Sequence, residues 1–228
     1  IDEILEDDRA LYVIMPRCDG GTLTQFLLKR MQQQNPLLES ECKRILRQVL
    51  IAVGHLHENN LIHQDIKPDN IMLDSDMSDP AHPYTLKLID FDTCVGWIPG
   101  KSKASTFTGT EGYIAPECLM GGSCPQSDLF SVGVLFYILF VGCQPWNPVT
   151  LQDCAVGSPS AKKIYNSMKA MTLEWDSTPW STFHLACDAC QKLLAFDPRA
   201  RPWSARQVLS HRWLAFETED RAIPLPVW

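Results

Sequence analysis

The 228-residue sequence has no excess of positive charge. Lys and Arg total 20 against 27 Asp and Glu, which gives a net charge of −7. Because proteins that bind nucleic acids usually present a basic face, we expect no nucleic-acid partner. The content of 45% apolar and 21% charged residues is ordinary for a globular protein, and the length suits one sizeable domain or at most two small ones.

The sequence also has no apolar run long enough to cross a bilayer. The most apolar stretch, 129–143, lies between Asp128 and Gln144 and falls short of the roughly 20 residues that a spanning helix needs. We therefore predict a buried core helix there. The first eight residues are rich in Asp and Glu, where a signal peptide carries basic residues. We expect a soluble, cytoplasmic protein with no membrane partner.

Its nine cysteines follow neither a disulfide pattern nor a zinc pattern. Their number is odd and their spacings are scattered, which favours a reducing compartment over a disulfide framework. Cys187 and Cys190 form a lone Cys-x-x-Cys with no second pair and no histidine at metal spacing. We therefore favour a structural role for these two cysteines over zinc binding.

Hydrophobic periodicity and turn signals predict an α+β fold. From Ser40 to about Asn59, apolar residues recur at three- and four-residue spacing, which is typical of an amphipathic helix. Short β-prone runs precede a bulk that reads mostly as helix after Glu117, and this order is typical of α+β proteins. The other predicted elements are strands over 1–5, 11–15, 71–73 and 85–89 and a helix over 22–31.

Two short stretches bring together an acid, a cation, an amide and a second carboxylate. Residues 63–70 read His-Gln-Asp-Ile-Lys-Pro-Asp-Asn, and residues 90–92 read Asp-Phe-Asp. An aspartate can orient the proton of a hydroxyl, a lysine can contact phosphate as a point charge, and Asn and Asp oxygens are ligands that magnesium prefers. Each stretch is weak evidence alone, since an isolated Asp65 is more often a helix cap or a turn residue.

Five motifs in sequence order resemble those of eukaryotic protein kinases of the serine/threonine type. The resemblance covers nearly the whole chain and implies a protein-kinase-like α+β fold, mainly the helical large lobe preceded by the last strands of the small lobe. The motifs are the catalytic loop 63–70, the metal-binding motif 90–92, the substrate-docking loop 109–117 (GTEGYIAPE), the start of the long buried helix at Asp128, Ser131 and Gly133, and the segment 197–202 that contains Arg201.

This resemblance implies a role for each matching residue, with ATP and magnesium as cofactors and a protein with a Ser or Thr acceptor as substrate. Asp65 is the catalytic base, Lys67 contacts phosphate, Thr110 belongs to the docking loop, and Asn70 and Asp90 hold magnesium beside the nucleotide. The implied adenine pocket consists of Met15, Pro16, Cys18, Leu23 and Met72. The implied structural or regulatory positions are His63, Gln64, Phe91, Asp92, Thr106, Glu117, Asp128 and Arg201, with Asp128 tying down the catalytic loop and Arg201 pairing with Glu117.

Two further segments resemble different kinase groups and bear on the regulation of the protein. The hairpin 74–84 and the sequence GVLFYILFVGCQPW resemble the calcium- and calmodulin-dependent group, which implies a regulatory protein or a calcium-sensing module outside this chain. Thr106 and Phe107 instead resemble the phosphorylated loop of the cyclic-nucleotide-dependent group.

Two residues depart from the family pattern. Gln64 replaces the Arg that grips a phosphorylated activation loop in many relatives, and Gln cannot form a charge-assisted fork with phosphate. We therefore expect activity not to depend strongly on loop phosphorylation. Asp92 replaces a Gly of the metal-binding motif, where we expect left-handed backbone that Asp tolerates better than most residues. A carboxylate there could add to metal binding or hold the loop in one state.

The nucleotide-clamping motifs of the small lobe are missing. No Gly-x-Gly-x-x-Gly precedes Gly20, and no Lys precedes Lys29. We therefore expect a kinase fragment that is inactive alone. By the resemblance, residues 1–15 are a small-lobe remnant, 16–22 the hinge, 23–215 the large lobe and 216–228 a C-terminal tail.

Two alternatives remain beside an active kinase. Gln64 and Asp92 favour a pseudokinase or scaffold that binds protein partners, whereas the intact Asp65 and Lys67 oppose it. A lobe that acts only through interactions, with region 146–180 as its docking surface, is the third possibility.

Overall fold

The computed structural model describes residues 2–75, 84–98, 108–146, 155–216 and 220–225. The strands are β1 Glu3–Glu6, β2 Leu11–Ile14, β3 Leu61–Ile62, β4 Ile71–Leu73, β5 Leu86–Leu88 and β6 Val95–Gly96. The α-helices are α1 Leu23–Gln32, α2 Glu39–Glu58, α3 Pro125–Val141, α4 Pro159–Ala170, α5 His184–Leu193, α6 Ala205–Leu209 and α7 Arg212–Ala215.

The strands form small antiparallel pairs around a helical core. β1 pairs with β2, β4 with β5, and β3 with β6. The last pair joins the start of the catalytic loop to the segment after the Asp-Phe-Asp motif, with Ile62 opposite Val95. The predicted α+β character is confirmed, and the sheets serve mainly to bring separate loops together.

Helix α2 forms as its periodicity predicts, within one residue of the expected start. The carboxylate of Glu41 accepts the backbone N–H of Leu38 at 2.7 Å and thereby satisfies an open donor at the helix N-terminus. The apolar face of α2 is buried, and the helix ends at Asn59, followed by Asn60 with a φ of 57°. Its buried side chains include Ile45, Leu46, Val49, Leu50 and Val53.

Helix α3 is the central core helix predicted from the apolar stretch 129–143. Pro125 occupies its first turn, where no backbone N–H is needed, and nearly every side chain along it is buried. Phe136 stacks on Trp213 with centroids 4.5 Å apart, and Phe140 stacks on Trp180 at 5.2 Å. In the described part of the chain, no helix combines the length and hydropathy of a membrane span.

The tryptophans of region 146–180 belong to this packing. Trp180 is fully buried, and Trp146 stacks on Phe130 with centroids 5.4 Å apart. Trp180 is therefore a core residue, and the half-buried Trp146 packs on the core through Phe130.

The segment 220–225 returns to the start of α2. The backbone N–H of Glu39 donates to the carbonyl of Arg221 at 2.8 Å, and that of Ile223 donates to Leu37 at 2.7 Å. Ile223 is buried in the main hydrophobic cluster. The segment 220–225 is therefore attached to the helical core.

Candidate active site

Asp65 lies at the centre of a compact hydrogen-bonded cluster after β3. It is 6% exposed, and its Oδ2 accepts Lys67 Nζ at 2.8 Å and Asn70 Nδ2 at 2.9 Å. Its Oδ1 accepts the hydroxyl of Thr110 at 2.6 Å, and Lys67 Nζ also donates to that hydroxyl at 2.5 Å. The fold thus brings Thr110 to the motif 63–70 across 45 residues of sequence.

The electrostatics of this cluster keep Asp65 ionised. Partial burial raises the pKa of the carboxyl, but hydrogen bonds from Lys67, Thr110 and Asn70 and the positive charge of Lys67 outweigh it. The pKa therefore lies below its usual range. An ionised carboxylate accepts hydrogen bonds only, so Asp65 is able to receive a hydroxyl proton near neutral pH.

Asp128 of α3 holds the backbone that carries Asp65. Its Oδ2 accepts the N–H of His63 and its Oδ1 accepts that of Gln64, each at 2.9 Å. His57 of α2 also donates from Nε2 to Asp128 Oδ2 at 2.8 Å. A fully buried carboxylate is stable only with such donors, and here it ties the catalytic loop to two core helices.

His63 has a defined tautomer because its two ring nitrogens meet opposite partners. Nδ1 accepts the backbone N–H of Asp65 at 3.3 Å, so Nε2 carries the proton and donates to the carbonyl of Ile89 at 3.1 Å. The ring also lies against Phe91, with centroids 5.2 Å apart. His63 therefore links the motif 63–70 to the motif 90–92.

Asn70 and Asp90 provide the oxygen atoms suited to magnesium. The backbone N–H of Ile89 donates to the carbonyl of Asn70 at 2.9 Å, which holds the two motifs side by side. The amide nitrogen of Asn70 is used by Asp65, which leaves its side-chain oxygen as a ligand. Among the described residues no group of three or more His, Cys, Asp or Glu could hold a metal ion. Asn70 and Asp90 together would supply two oxygen ligands to a magnesium ion whose other ligands would be phosphate and water.

Left-handed backbone occurs at Asp90 rather than at Asp92. Asp90 has a φ of 64° and Gln64 a φ of 69°, whereas Asp92 is not among the residues with positive φ. The expectation of left-handed backbone at Asp92 is therefore wrong. Such a conformation costs a non-glycine residue roughly 1–2 kcal/mol, and here it falls on the two residues beside His63 and Phe91.

The docking loop lies directly on the catalytic loop. A Cβ at Gly109, which has a φ of 107°, would lie 2.5 Å from the carbonyl oxygen of Gln64, so only glycine fits there. The backbone N–H of Tyr113 donates to the carbonyl of Thr110 at 3.1 Å, and Ser131 Oγ donates to the carbonyl of Tyr113 at 2.8 Å. These contacts hold Thr110 against Asp65.

Glu117 and Arg201 form a buried bidentate ion pair behind the docking loop. Nη1 and Nη2 of Arg201 donate to the two oxygens of Glu117 at 2.7 and 2.8 Å, and Ser127 Oγ donates to Glu117 Oε1 at 2.7 Å. The remaining donors of Arg201 reach the backbone carbonyls of Ala195, Gln126 and Phe196. All five N–H groups of the guanidinium are therefore used.

The residues matched to an adenine pocket lie around the junction of β2, α1 and β4. Leu23 is fully buried at the start of α1, and Met72 of β4 is half-buried and forms a β-bridge with Thr22. Cys18 is half-buried, whereas Pro16 is exposed and Met15 is 63% exposed. The bridge places Leu23 next to Met72 through Thr22, whereas Met15 and Pro16 precede this junction along the chain.

Thr106 and Phe107 lie outside the described residues. Three structural contributors were not singled out from the sequence: His57, Thr93 and Ser127. His57 could have been found from helical spacing, since it follows the buried Val53 by four residues on the same face of α2. Thr93 bonds to the carbonyl of His63 and Ser127 to the carboxylate of Glu117, and no local pattern marks these two residues.

Comparisons with known proteins agree with this geometry. The sequence model of the family described as "Protein kinase domain" matches residues 1–214. The hormonally up-regulated neu tumor-associated kinase of Homo sapiens is 32% identical over 215 residues, which are 93% of this chain and 27% of that protein. A CDPK-related protein kinase of Daucus carota is 29% identical over 226 residues (99% and 34%), and calcium-dependent protein kinase 34 of Arabidopsis thaliana is 30% identical over 222 residues (96% and 38%).

The chain thus spans only about a third of the length of these curated relatives. The family match, in contrast, extends over nearly the whole chain and includes every motif described above. On this match and on the arrangement of Asp65, Lys67, Asn70 and Asp90, the chain belongs to the protein kinase family.

Proposed function

We propose that the protein is a serine/threonine protein kinase, which transfers the γ-phosphoryl group of ATP to a protein hydroxyl. The observation that carries this proposal is the cluster of Asp65, Lys67, Asn70 and Thr110. Phosphoryl transfer depends mainly on positioning and on charge stabilisation, and these four side chains supply a base, a cation and fixed hydrogen bonds between them.

Asp65 is the proposed base. The bond from the Thr110 hydroxyl to its Oδ1 illustrates the contact that an incoming Ser or Thr hydroxyl would make. A carboxylate in this position orients the acceptor oxygen and receives its proton, an effect typically worth about 10²–10⁴-fold in rate. Lys67, already beside Asp65, is the proposed cation for the transferred phosphoryl group.

The serine/threonine type is supported by Lys67 and Thr110 acting together. Lys67 Nζ bridges the carboxylate of Asp65 and the hydroxyl of Thr110, so the docking loop and the catalytic base are tied by one cation. The calcium-dependent kinases among the relatives add to this proposal. By the same similarity, a regulatory or calcium-sensing module outside this chain is a proposed partner, and a cytoplasmic location is proposed from the composition.

Asn70 and Asp90 are the residues proposed to hold magnesium. When bound, magnesium neutralises the charge that phosphate oxygens carry during transfer. Met15, Pro16, Cys18, Leu23 and Met72 are proposed to contact the adenine. Because this sequence contains no glycine-rich phosphate loop before Gly20 and no Lys before Lys29, we propose that the 228 residues do not perform the reaction by themselves. We further propose that residues 1–15 belong to the small lobe and that residues 16–22 form the hinge. Residues 23–215 then form the large lobe, and residues 216–228 the C-terminal tail.

The test is phosphate transfer from labelled ATP to a mixed protein substrate by the full-length protein. Asp65→Asn keeps the shape of the side chain and removes the base, so we expect a loss of two or more orders of magnitude. Asp69→Asn, an exposed aspartate four residues away, is the matched control and should retain most of the activity. Retained activity in Asp65→Asn would overturn the assignment of the base.

A pseudokinase is the second candidate, favoured by Gln64 and Asp92. It predicts that the full-length wild-type protein binds partners but transfers no phosphate under any magnesium concentration. The same assay therefore separates the two candidates before any variant is made.

A further inference from the structure

Thr93 lies where the metal-binding motif leaves the catalytic loop. Its Oγ1 donates a hydrogen bond to the backbone carbonyl of His63 at 2.7 Å. His63 is fully buried, so water does not replace this donor, and a buried carbonyl without a donor is costly. The bond joins residue 93 to residue 63 across 30 positions of sequence.

This bond connects the two strained points of the site. Gln64 directly follows His63, and Asp90 lies three residues before Thr93; their φ angles are 69° and 64°. Non-glycine residues keep left-handed backbone only when the surrounding contacts impose it. On the side of Gln64 those contacts come from Asp128, and on the side of Asp90 the hydroxyl of Thr93 is one of them.

The segment that Thr93 fastens continues into ordered backbone pairing. Val95 lies opposite Ile62 in the β3–β6 pair, and the N–H of Trp97 donates to the carbonyl of Asn60 at 2.7 Å. Residues 90–98 contain no Lys or Arg, and Lys67 of the catalytic loop is engaged with Asp65 and Thr110. The contacts of Thr93, Val95 and Trp97 with residues 60–63 are therefore made between neutral groups.

We propose that Thr93 is a positioning residue for the metal-binding loop. Its hydroxyl holds residues 90–93 on the catalytic loop so that Asp90 stays in the orientation used for magnesium and nucleotide, in place of a phosphate gripped by arginine. This inference rests on the proposed function, since it concerns the magnesium site of that reaction. One neutral hydrogen bond from Thr93 thus holds the loop, a role that an Arg fulfils through a phosphate in many relatives and that Gln64 cannot fulfil.

The first test compares Thr93→Val, which keeps the shape and removes the hydroxyl, with Thr93→Ser, which keeps the hydroxyl. Magnesium-dependent binding of ADP to the full-length protein is measured by titration calorimetry at several magnesium concentrations. We expect Thr93→Val to raise the half-saturating magnesium concentration about tenfold, and Thr93→Ser to stay within about twofold of wild type. Thr172→Val, at an exposed threonine outside the segments 60–70 and 90–98, is the control and should change nothing.

The second test reads the loop directly, without activity. In the same full-length variants, hydrogen exchange at the Trp97 amide, which is bonded to Asn60, should become about tenfold faster in Thr93→Val only. If Thr93→Val does not fold, Thr93→Ala provides the same comparison. Unchanged magnesium dependence and unchanged exchange in Thr93→Val would overturn the proposal, and so would equal effects of Val and Ser. If the variants show the predicted pattern of magnesium-dependent ADP binding but the wild-type protein transfers no phosphate, the proposed function is refuted. The role of Thr93 in positioning the loop is then still supported.

Discussion

At the scale of single residues, the charge on Asp65 is set by its donors more than by its burial. Partial burial raises its pKa, and the bonds from Lys67, Thr110 and Asn70 lower it further than burial raises it. Because the folded pKa is depressed, the associated stability is present above the unfolded value of about 3.9 and is lost as the pH falls through the folded value.

This balance gives a prediction for Lys67→Met. Without the ammonium group, two of the causes that lower the pKa of Asp65 are gone and the folded pKa rises, so the loss of stability on acidification below about pH 4 becomes smaller. The measurement is the free energy of unfolding in urea at pH 7 and at pH 3 for wild type, Lys67→Met and the exposed control Lys162→Met. An identical pH dependence in wild type and Lys67→Met would contradict the prediction.

Asp92 gives the second prediction at this scale. Because it is exposed and its backbone is not left-handed, we expect it to restrict the loop rather than to bind metal. Asp92→Gly should lower the free energy of unfolding by about 0.5–1 kcal/mol through added chain entropy. Asp92→Asn, which removes only the charge, should leave magnesium-dependent ADP affinity of the full-length protein unchanged within about twofold. A weaker magnesium response in Asp92→Asn would instead establish a metal role.

At the scale of elements, the docking loop is anchored by a guanidinium that lysine cannot imitate. Arg201 has a side chain with no exposed surface, and its five donors serve Glu117 and three carbonyls. A lysine has three donors in a different geometry, so Arg201→Lys leaves buried acceptors unpaired. We expect a loss of about 2–4 kcal/mol in the free energy of unfolding.

Arg199→Lys is the matched control for this measurement. Arg199 pairs with Asp197 two residues away, and its side chain is exposed, so no measurable change is expected there. Equal effects of the two substitutions in urea unfolding would show that the ion pair with Glu117 does not hold the loop.

The stretch between the metal-binding motif and the docking loop, which contains Thr106, gives a prediction about phosphorylation. Gln64 does not bind phosphate as arginine does, and residues 90–97 are held by the bonds of Thr93 and Trp97. If the full-length protein has the proposed kinase activity, Thr106→Ala should keep phosphate transfer within about tenfold of wild type. A loss of two orders of magnitude, restored by Thr106→Glu, would show that the segment needs a phosphate after all.

At the scale of the whole molecule, the helical core could be predicted because its signals are local. The periodicity of 40–59 determines α2, and the uninterrupted apolar run marks α3 as buried. Asp65, Lys67 and Asn70 lie within six residues of one another, so one motif contains them. The contacts of Thr110, His57 and Thr93 depend on packing between distant segments. The backbone angle at Asp90 likewise follows from tertiary contacts, which is why left-handed backbone was expected two residues away.

Among the strands and helices that the structure describes, the β1–β2 hairpin has the least support from the core. Its large apolar side chains, from Ile4 to Ile14, are between 41% and 60% exposed, whereas the aromatic side chains on α3 are buried on all sides. A two-stranded hairpin alone is only marginally stable in water. We therefore expect the 228-residue chain to unfold in two steps, with the hairpin opening at a much lower free energy than the helical core.

Native-state hydrogen exchange measures these two free energies separately. Amides within 3–14 should exchange with protection that corresponds to about 0–2 kcal/mol, while amides of α2 and α3 should reach the global free energy of unfolding.

Two variants separate the hairpin from the core. Tyr12→Ser should leave the protection of the α3 amides unchanged, because Tyr12 and α3 do not share a buried surface. Leu23→Ala, in the core, should lower the protection of the α3 amides by about 2–5 kcal/mol. Hairpin amides as strongly protected as those of α3 would mean that residues 3–14 fold as one cooperative unit with the helices.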